Sequence, residues 1–464
     1  MFKQIIIFIN HIFWDDLIKI PLGNKNYINI SFLAVLLVFT GLYFSFKTKF
    51  LPIRLFKDII NQVKKNLNSK NKNSLSGLQA LIVSTATRVG SGNLLGVAAA
   101  ISAGGAGAIF WMWLTAFIGS STAFIESVLA QIYKKNDPLY GGYKGGPAYY
   151  IHDFFVSKSK SGLNKKNLIS IFFALSGLIC WCGISQITGN SVASAFKHTF
   201  NIPVLYSAIL LLVVAAIIVL RRDATVKVLD LIVPIMSVSY LLITLIIMLI
   251  NFRRLPSVIN NIFAQAFGFR QVIAGGLGVV ITNGVKRGLF SNESGSGSAP
   301  CAAAAAESNN PVEIGFLQVF GVLVDTIVCT CTAILILLTP QEKILNLNGV
   351  ELLQITMNYH LGFFGMIFIA LILWLFNFST FLGILFYARS NVSYLFSDNW
   401  VSQNLFKIIA LVMLFVGAIN KYDIVWIFAD VGIALMTIFN LIMLFPLKNQ
   451  VLNLLQDYYS RKNK

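Results

Sequence analysis

The chain has 464 residues, 56% hydrophobic and only 12% charged, with 36 Lys and Arg against 18 Asp and Glu for a formal charge of +18. Soluble domains carry roughly 25% charged residues, so this composition, with a mean hydropathy of +0.75, excludes a soluble globular enzyme. A nucleic-acid-binding module is excluded as well, because the basic residues sit in short loops between apolar runs and do not line one face.

The first twenty residues mix Ile and Phe with Asn10, His11, Asp15 and Asp16. That interrupts any cleavable signal pattern and predicts an interfacial helix. Eleven apolar stretches follow, near 27–47, 78–101, 107–133, 168–192, 203–220, 229–250, 264–287, 314–338, 362–388, 403–419 and 424–446. Most approach the ~20 residues that cross a bilayer. The expected protein is therefore an all-α, multi-pass integral membrane protein whose first partner is the lipid bilayer.

The 48–77 loop holds Lys49, Arg54, Lys57, Lys64, Lys65, Lys70 and Lys72. Alternation gives the same side Lys134, Lys135, Arg221, Arg222, Lys286, Arg287, Arg389 and the basic tail. The positive-inside rule then predicts an N-terminus outside and a C-terminus in the cytoplasm of a bacterial-type inner membrane.

Three spans depart from plain lipid-facing helices. The second carries Arg88-Val89-Gly90-Ser91-Gly92-Asn93, the seventh Gly275-Gly276-Leu277-Gly278, and the ninth Asn377-Phe378-Ser379-Thr380. Close packing of the small-xxx-small kind accounts for glycines such as Gly92 and Gly96, but it needs neither the adjacent Arg nor the Ser-Gly-Asn run. A helix broken at mid-depth frees backbone groups that lipid cannot satisfy, so such a break is expected to line a cavity.

Setting the first span aside leaves two halves of five, each with its interruption in the first helix. Five is odd, so the second half enters from the opposite side. Broken helices at matching positions of inverted halves point to a transporter site. The expected division is 1–76, then repeats at 77–251 and 252–447, then a tail at 448–464.

Ionisable residues at membrane depth are candidates for function. Arg88, Glu126 and Asp325 qualify, and an ion pair of Arg88 with Glu126 or Asp325 is expected; Glu126 alternatively lies near water at its span end. Lys286, Arg287 and Glu293 read as gate or loop-ordering charges at the cytoplasmic end of the seventh span. Five cysteines lack zinc-ligand spacing, and the four histidines are scattered. Neither supports an intramembrane enzyme, and isolated breaks in place of a repeated polar stripe argue against a channel.

Several strings resemble the alanine or glycine:cation symporter family, the sodium:alanine symporters. They are Arg88 to Val97, Gly104 to Trp113, Glu126, Gly145 to Tyr150, Gly284 to Pro300, Asp325-Thr326, and Trp426 to Asp430. The resemblance implies a leucine-transporter-type fold of 5+5 inverted repeats plus one N-terminal helix. It also implies sodium-driven import of a small neutral amino acid, with sodium as coupling ion and no other cofactor.

By position, the amides of Ser91 and Gly92 then become candidates for the substrate carboxylate, joined by Asn93. Gly275 and Gly276 would receive the amino group on their carbonyls, with Leu277 capping the pocket. By resemblance, sodium would take the carbonyls of Ala86, Val89 and Phe376 and the hydroxyls of Ser379 and Thr380; hydroxyl back-bonding to their own helix is the alternative. The sequence departs from the family pattern in the third core helix, where Thr188 stands for a usual Gln: either Thr188 takes its place on the pocket wall with a shorter reach, or Gln186, two residues earlier, does so from a different angle. It departs again at Ile384, in place of a usual Trp. Proton coupling through Glu126 or Asp325 is the competing expectation.

Overall fold

The computed structural model describes residues 2–15, 18–23, 26–67, 75–158, 166–221, 224–267 and 276–462. An amphipathic helix α1 (Phe2–Trp14) leads into a hairpin of β1 (Ile18–Gly23) and β2 (Asn26–Ile30), then α2 (Phe32–Lys47), α3 (Leu51–Arg54) and α4 (Phe56–Leu67). Residues 27–30, expected to open the first span, are strand, and the helix starts at the Ser31 cap.

The next helix is in two pieces. α5 (Gly77–Arg88) starts in a capping box: Ser76 Oγ accepts the Gln79 N–H and Gln79 Oε1 accepts the Ser76 N–H, both at 3.1 Å. A π-helical turn at Gly92–Gly96 and α6 (Val97–Gly104) complete it. Then come α7 (Gly107–Ile132), a short hairpin of β3 (Lys135–Asn136) and β4 (Tyr143–Lys144), α8 (Pro147–Lys158), α9 (Leu168–Phe200), α10 (Val204–Val219), α11 (Ala224–Ile250) and α12 (Leu255–Phe267).

A second two-piece helix follows, α13 (Leu277–Asn292) and α14 (Ala299–Ala305). The series then runs α15 (Pro311–Leu338), α16 (Gln341–Ile344), α17 (Gly349–Phe396), α18 (Trp400–Ile419) and α19 (Tyr422–Lys462). α17 is broken at Gly362, whose φ of 61° and ψ of −152° leave the helical region. From each broken helix onward the order is the same: a broken helix, a long one, a connecting helical segment, a long one, a short one and a long one.

Among the described residues, seven helices are long and apolar enough to cross a membrane: α7, α9, α11, α15, α17, α18 and α19; α2, α10 and the Gly92–Gly104 piece are shorter and apolar. The protein is thus an all-helical multi-pass membrane protein apart from its two small hairpins. α9 packs against α17, α18 and α19 through small residues. A Cβ at Gly183 would stand 2.7 Å from the Ala429 backbone, and one at Gly417 would meet the backbone of Gln186.

The two broken helices run antiparallel. α5 lies against α14, and α6 against α13. At one end the Glu307 N–H donates to the Leu75 carbonyl at 2.9 Å. At the other, Gly104 sits against Asn283 and Val280.

The expected interruption at Gly275–Gly278 is corrected by this arrangement. Gly275 lies outside the described residues, Gly276 precedes the first turn of α13, and Leu277 and Gly278 belong to that turn. The unwound stretch is Glu293–Ser298. The ninth span is not interrupted at Asn377–Thr380, where α17 is continuous, and α19 continues past residue 446 to Lys462.

Candidate functional site at two opposed helix breaks

At the first break, α5 ends as the Val89 N–H reaches the Thr85 carbonyl at 2.7 Å and the Gly90 N–H turns back to Arg88 O at 3.0 Å and Asn93 Oδ1 at 2.9 Å. A Cβ on Gly90 would overlap Thr380 Oγ1, and one on Gly92 would stand 2.8 Å from Ser291 Cα. Only glycine allows these approaches. Residues 83–98 are all buried, as are 287–306 around the second break, so both breaks are shut off from solvent on either side.

The second break is held by side chains from four other helices. Glu293 (φ 56°) accepts from Ser298 Oγ at 2.8 Å and from the Tyr387 hydroxyl at 3.3 Å; Tyr387 also meets Thr87 Oγ1 at 2.7 Å. Glu126 accepts the freed Gly295 N–H at 3.2 Å and the Asn440 amide at 2.7 Å. That amide also donates to the Gly295 carbonyl at 2.9 Å, and the Tyr150 hydroxyl bonds to Asn440 Oδ1. Glu126 is therefore buried within α7, and the water-exposed alternative does not hold.

Arg88 ties the two breaks together. Its Nε donates to the Asn292 carbonyl at 2.9 Å, and Nη1 to Gln318 O and Oε1 at 3.2 and 3.0 Å. Arg88 is the last residue of α5, and Asn292 the last of α13. The guanidinium thus stands at two helix C-termini, where the negative ends of both dipoles stabilise a cation. The expected ion pair with Glu126 or Asp325 is corrected: among the described residues no carboxylate lies within 4 Å of Arg88; its Nε and Nη1 bond to carbonyl oxygens instead, and the buried Nη2 has no hydrogen-bond partner.

Asp325, on α15, accepts from Asn93 Nδ2 at 2.7 Å and from Ser291 Oγ at 2.6 Å, with Cys329 Sγ 3.1 Å from that hydroxyl. Asn93 is committed at both ends, to Gly90 and to Asp325. It fixes the shape of the break and has no amide hydrogen directed to an open cavity.

On the other flank of the first break, Ser379 Oγ donates to Ala86 O at 3.3 Å and Phe376 O at 2.9 Å, and Thr380 Oγ1 to the same two oxygens at 3.2 and 2.9 Å. The bonds to Phe376 O are the back-bonding expected as the alternative, and those to Ala86 O bring four of the five oxygens assigned to sodium together; Val89 lies one turn on, at the C-cap of α5. Thr188 Oγ1 faces the Asn377 carbonyl at 3.4 Å, whereas Gln186 turns away to Met413 Sδ at 3.3 Å. Gln186 does not reach the breaks.

Lys286 and Arg287 are also relocated. They lie within α13, between its start beside Gly104 and the second break, and not at an end near the lysine-rich 48–77 loop. Both pair with Asp430, Lys286 at 2.7 Å and Arg287 at 3.2 Å. At the opposite end, Asp137 in the β3–β4 hairpin pairs with Arg389 at 2.9 Å, and Lys144 pairs with Asp398. Sequence reasoning missed Asp430, Gln318, Tyr387 and Asn440 as partners. The available signal for the second break was the Ser-Gly alternation from Ser294 to Ser298.

Two antiparallel broken helices, bridged by a buried Arg, are the arrangement of the leucine-transporter fold. The solved structure of MhsT in complex with L-phenylalanine superposes with a TM-score of 0.57 at 12% identity, over 80% of this chain and 89% of that one. The chain belongs to the sodium:alanine symporter family, whose model matches residues 16–464.

Among its relatives, the probable sodium/glutamine symporter GlnT of Bacillus subtilis (strain 168) is 39% identical over 93% of this chain and 88% of its own length. The amino-acid carrier protein AlsT of the same organism is 36% identical over 97% and 94%. A sodium/proton-dependent alanine carrier protein of Bacillus sp. (strain PS3) is 32% identical over 84% and 90%.

Proposed function

We propose that the protein is a sodium-coupled symporter that imports a small neutral amino acid, alanine or glycine, by alternating access. The observation that carries this reading is the convergence of Ala86 O, Phe376 O, Ser379 Oγ and Thr380 Oγ1 at the C-terminal end of α5. Hard cations take oxygen ligands, and a half-helix C-terminus adds its negative dipole end. The carbonyl of Val89 completes the set.

The substrate carboxylate goes to the N–H groups of Ser91 and Gly92, which open the next helical segment and have no preceding turn to bond. Asn93 acts by holding that turn. The amino group goes to carbonyls of the 293–297 stretch, which replaces Gly275 and Gly276 in this role. Leu277, at the start of α13, lies outside the pocket. Eleven crossings follow when α2, α10 and the two broken helices join the seven long ones. The repeats are then 77–251 and 252–447, with the lysine-rich face cytoplasmic.

A second reading is proton coupling. It is favoured by the burial of Glu126 and Asp325 with no cation within 4 Å of either among the described residues. Uptake of labelled alanine, glycine and glutamine into proteoliposomes, with an inward sodium gradient at fixed pH and then with a pH gradient alone, separates the two. Accumulation that follows sodium supports the first reading. Accumulation that follows only the pH gradient moves coupling to the carboxylates, and uptake that is indifferent to both gradients overturns symport.

A further inference from the structure

Three elements meet on the side of the second break where α13 begins. Asp430 of α19 accepts Lys286 Nζ at 2.7 Å and the Arg287 guanidinium at 3.2 and 3.3 Å. Trp426, one turn earlier on α19, lies 4.3 Å from the Arg287 guanidinium and packs on Phe290 with ring centroids 4.8 Å apart. These residues join α13 to α19 just short of Glu293, and they close that side of the break.

The third element is the N-terminal segment. Trp14, the last residue of α1, is only 4% exposed. Its indole N–H donates to the main-chain oxygen of Asp430 at 3.1 Å, and the Lys286 ammonium stands 5.2 Å from its ring centroid. Farther along, the Ser31 N–H donates to Thr282 Oγ1 at 3.3 Å, so the segment is fastened to α13 a second time. The family match begins at residue 16, and Trp14 precedes it.

We propose that Trp14 is a gate residue: α1 is a lid that locks the Lys286–Arg287–Asp430 cluster, and it lifts before that face opens to the second break. One aromatic side chain engages both partners at once. It bonds the backbone of the acid by its N–H and covers the base with its ring, as a Trp face does for a desolvated cation. Separating α13 from α19 therefore breaks the Trp14 contacts together with the ion pairs. This lid builds on the alternating-access reading only in supposing that this face opens, and its test needs no substrate.

The test uses the full chain in proteoliposomes with Phe290→Cys as a reporter, a membrane-impermeant maleimide on both faces, and the parent chain as background. The reporter is set where Trp426 now covers Phe290. Adding Trp14→Ala is expected to raise the labelling rate at residue 290 about tenfold, the size of one lost hydrogen bond with one cation–π contact. Trp14→Phe keeps a ring but no N–H and is expected to fall between the two. Cys301 serves as the folding control, since it is buried on α14, across the second break from the lid, with its Sγ against Gly297 and Gly146.

A labelling rate unchanged within twofold by Trp14→Ala overturns the proposal. So does an equal rise at Cys301, which assigns Trp14 a merely structural part. If the uptake assays find no coupled amino acid, the labelling comparison still reports on the lid, so the two failures are told apart.

Discussion

At the residue scale, the site depends on a few atoms that have no room to move. Gly90 is one: its missing side chain is what lets Thr380 Oγ1 reach Ala86 O. Gly90→Ala is expected to displace that hydroxyl and raise the sodium concentration for half-maximal uptake about tenfold or more, while Gly96→Ala, which meets open space, leaves it near the parent value. Ser379→Ala with Thr380→Ala is expected to raise it further, and unchanged sodium dependence in the double variant would remove both residues from the ion site. Arg88→Lys replaces a planar fork that serves Asn292 and Gln318 in different directions with a single ammonium. A loss of roughly 2–4 kcal/mol in stability is expected, read as a fall in thermal midpoint in detergent. The burial of Arg88, Asn93, Ser379 and Thr380 was legible in the sequence because all four are polar groups inside apolar runs. Their partners were not: the pairing of Arg88 with two carbonyls depends on how distant helices cross, and charge alone pointed to carboxylates.

At the scale of elements, the two breaks are stabilised by different means. The first is closed by its own Asn93, three residues on, whereas the second borrows Glu126, Asn440 and Tyr387 from other helices. This explains the uneven legibility. A self-capped break leaves its signature within six residues, Arg88 to Asn93. A break capped from afar leaves only the Ser-Gly alternation of Ser294–Ser298, which the denser glycines at 275–278 outweighed. The β3–β4 hairpin gives a prediction of its own. Asp137 Oδ1 accepts the Leu139 and Tyr140 N–H groups at 3.0 and 3.1 Å, while Oδ2 accepts Arg389. Asp137→Asn keeps an oxygen acceptor for the turn and is expected to cost about 1 kcal/mol, whereas Asp137→Ala loses turn and pair together and should cost about 2–3 kcal/mol. Thermal melts of both variants check the order.

For the whole molecule, apolar run lengths carried most of the helical elements, since bilayer thickness sets helix length. What the runs did not disclose is where helices bend without leaving the apolar pattern, and α17 is the clearest case. Its 48 residues, wound without interruption, would make a rod of about 72 Å, more than twice the roughly 30 Å hydrocarbon core. Gly362, at a φ of 61° with open space around its Cα, divides that rod into a crossbar of 349–361 and a span of 363–396. Gln354 pins the crossbar to α9 through Ala195 O at 3.0 Å and Thr199 Oγ1 at 2.6 Å. Gly362→Ala meets no neighbour but cannot hold that backbone cheaply, and about 1–3 kcal/mol of lost stability is expected in a thermal melt. One residue without a side chain thus sets how far this stretch of chain projects beyond the membrane.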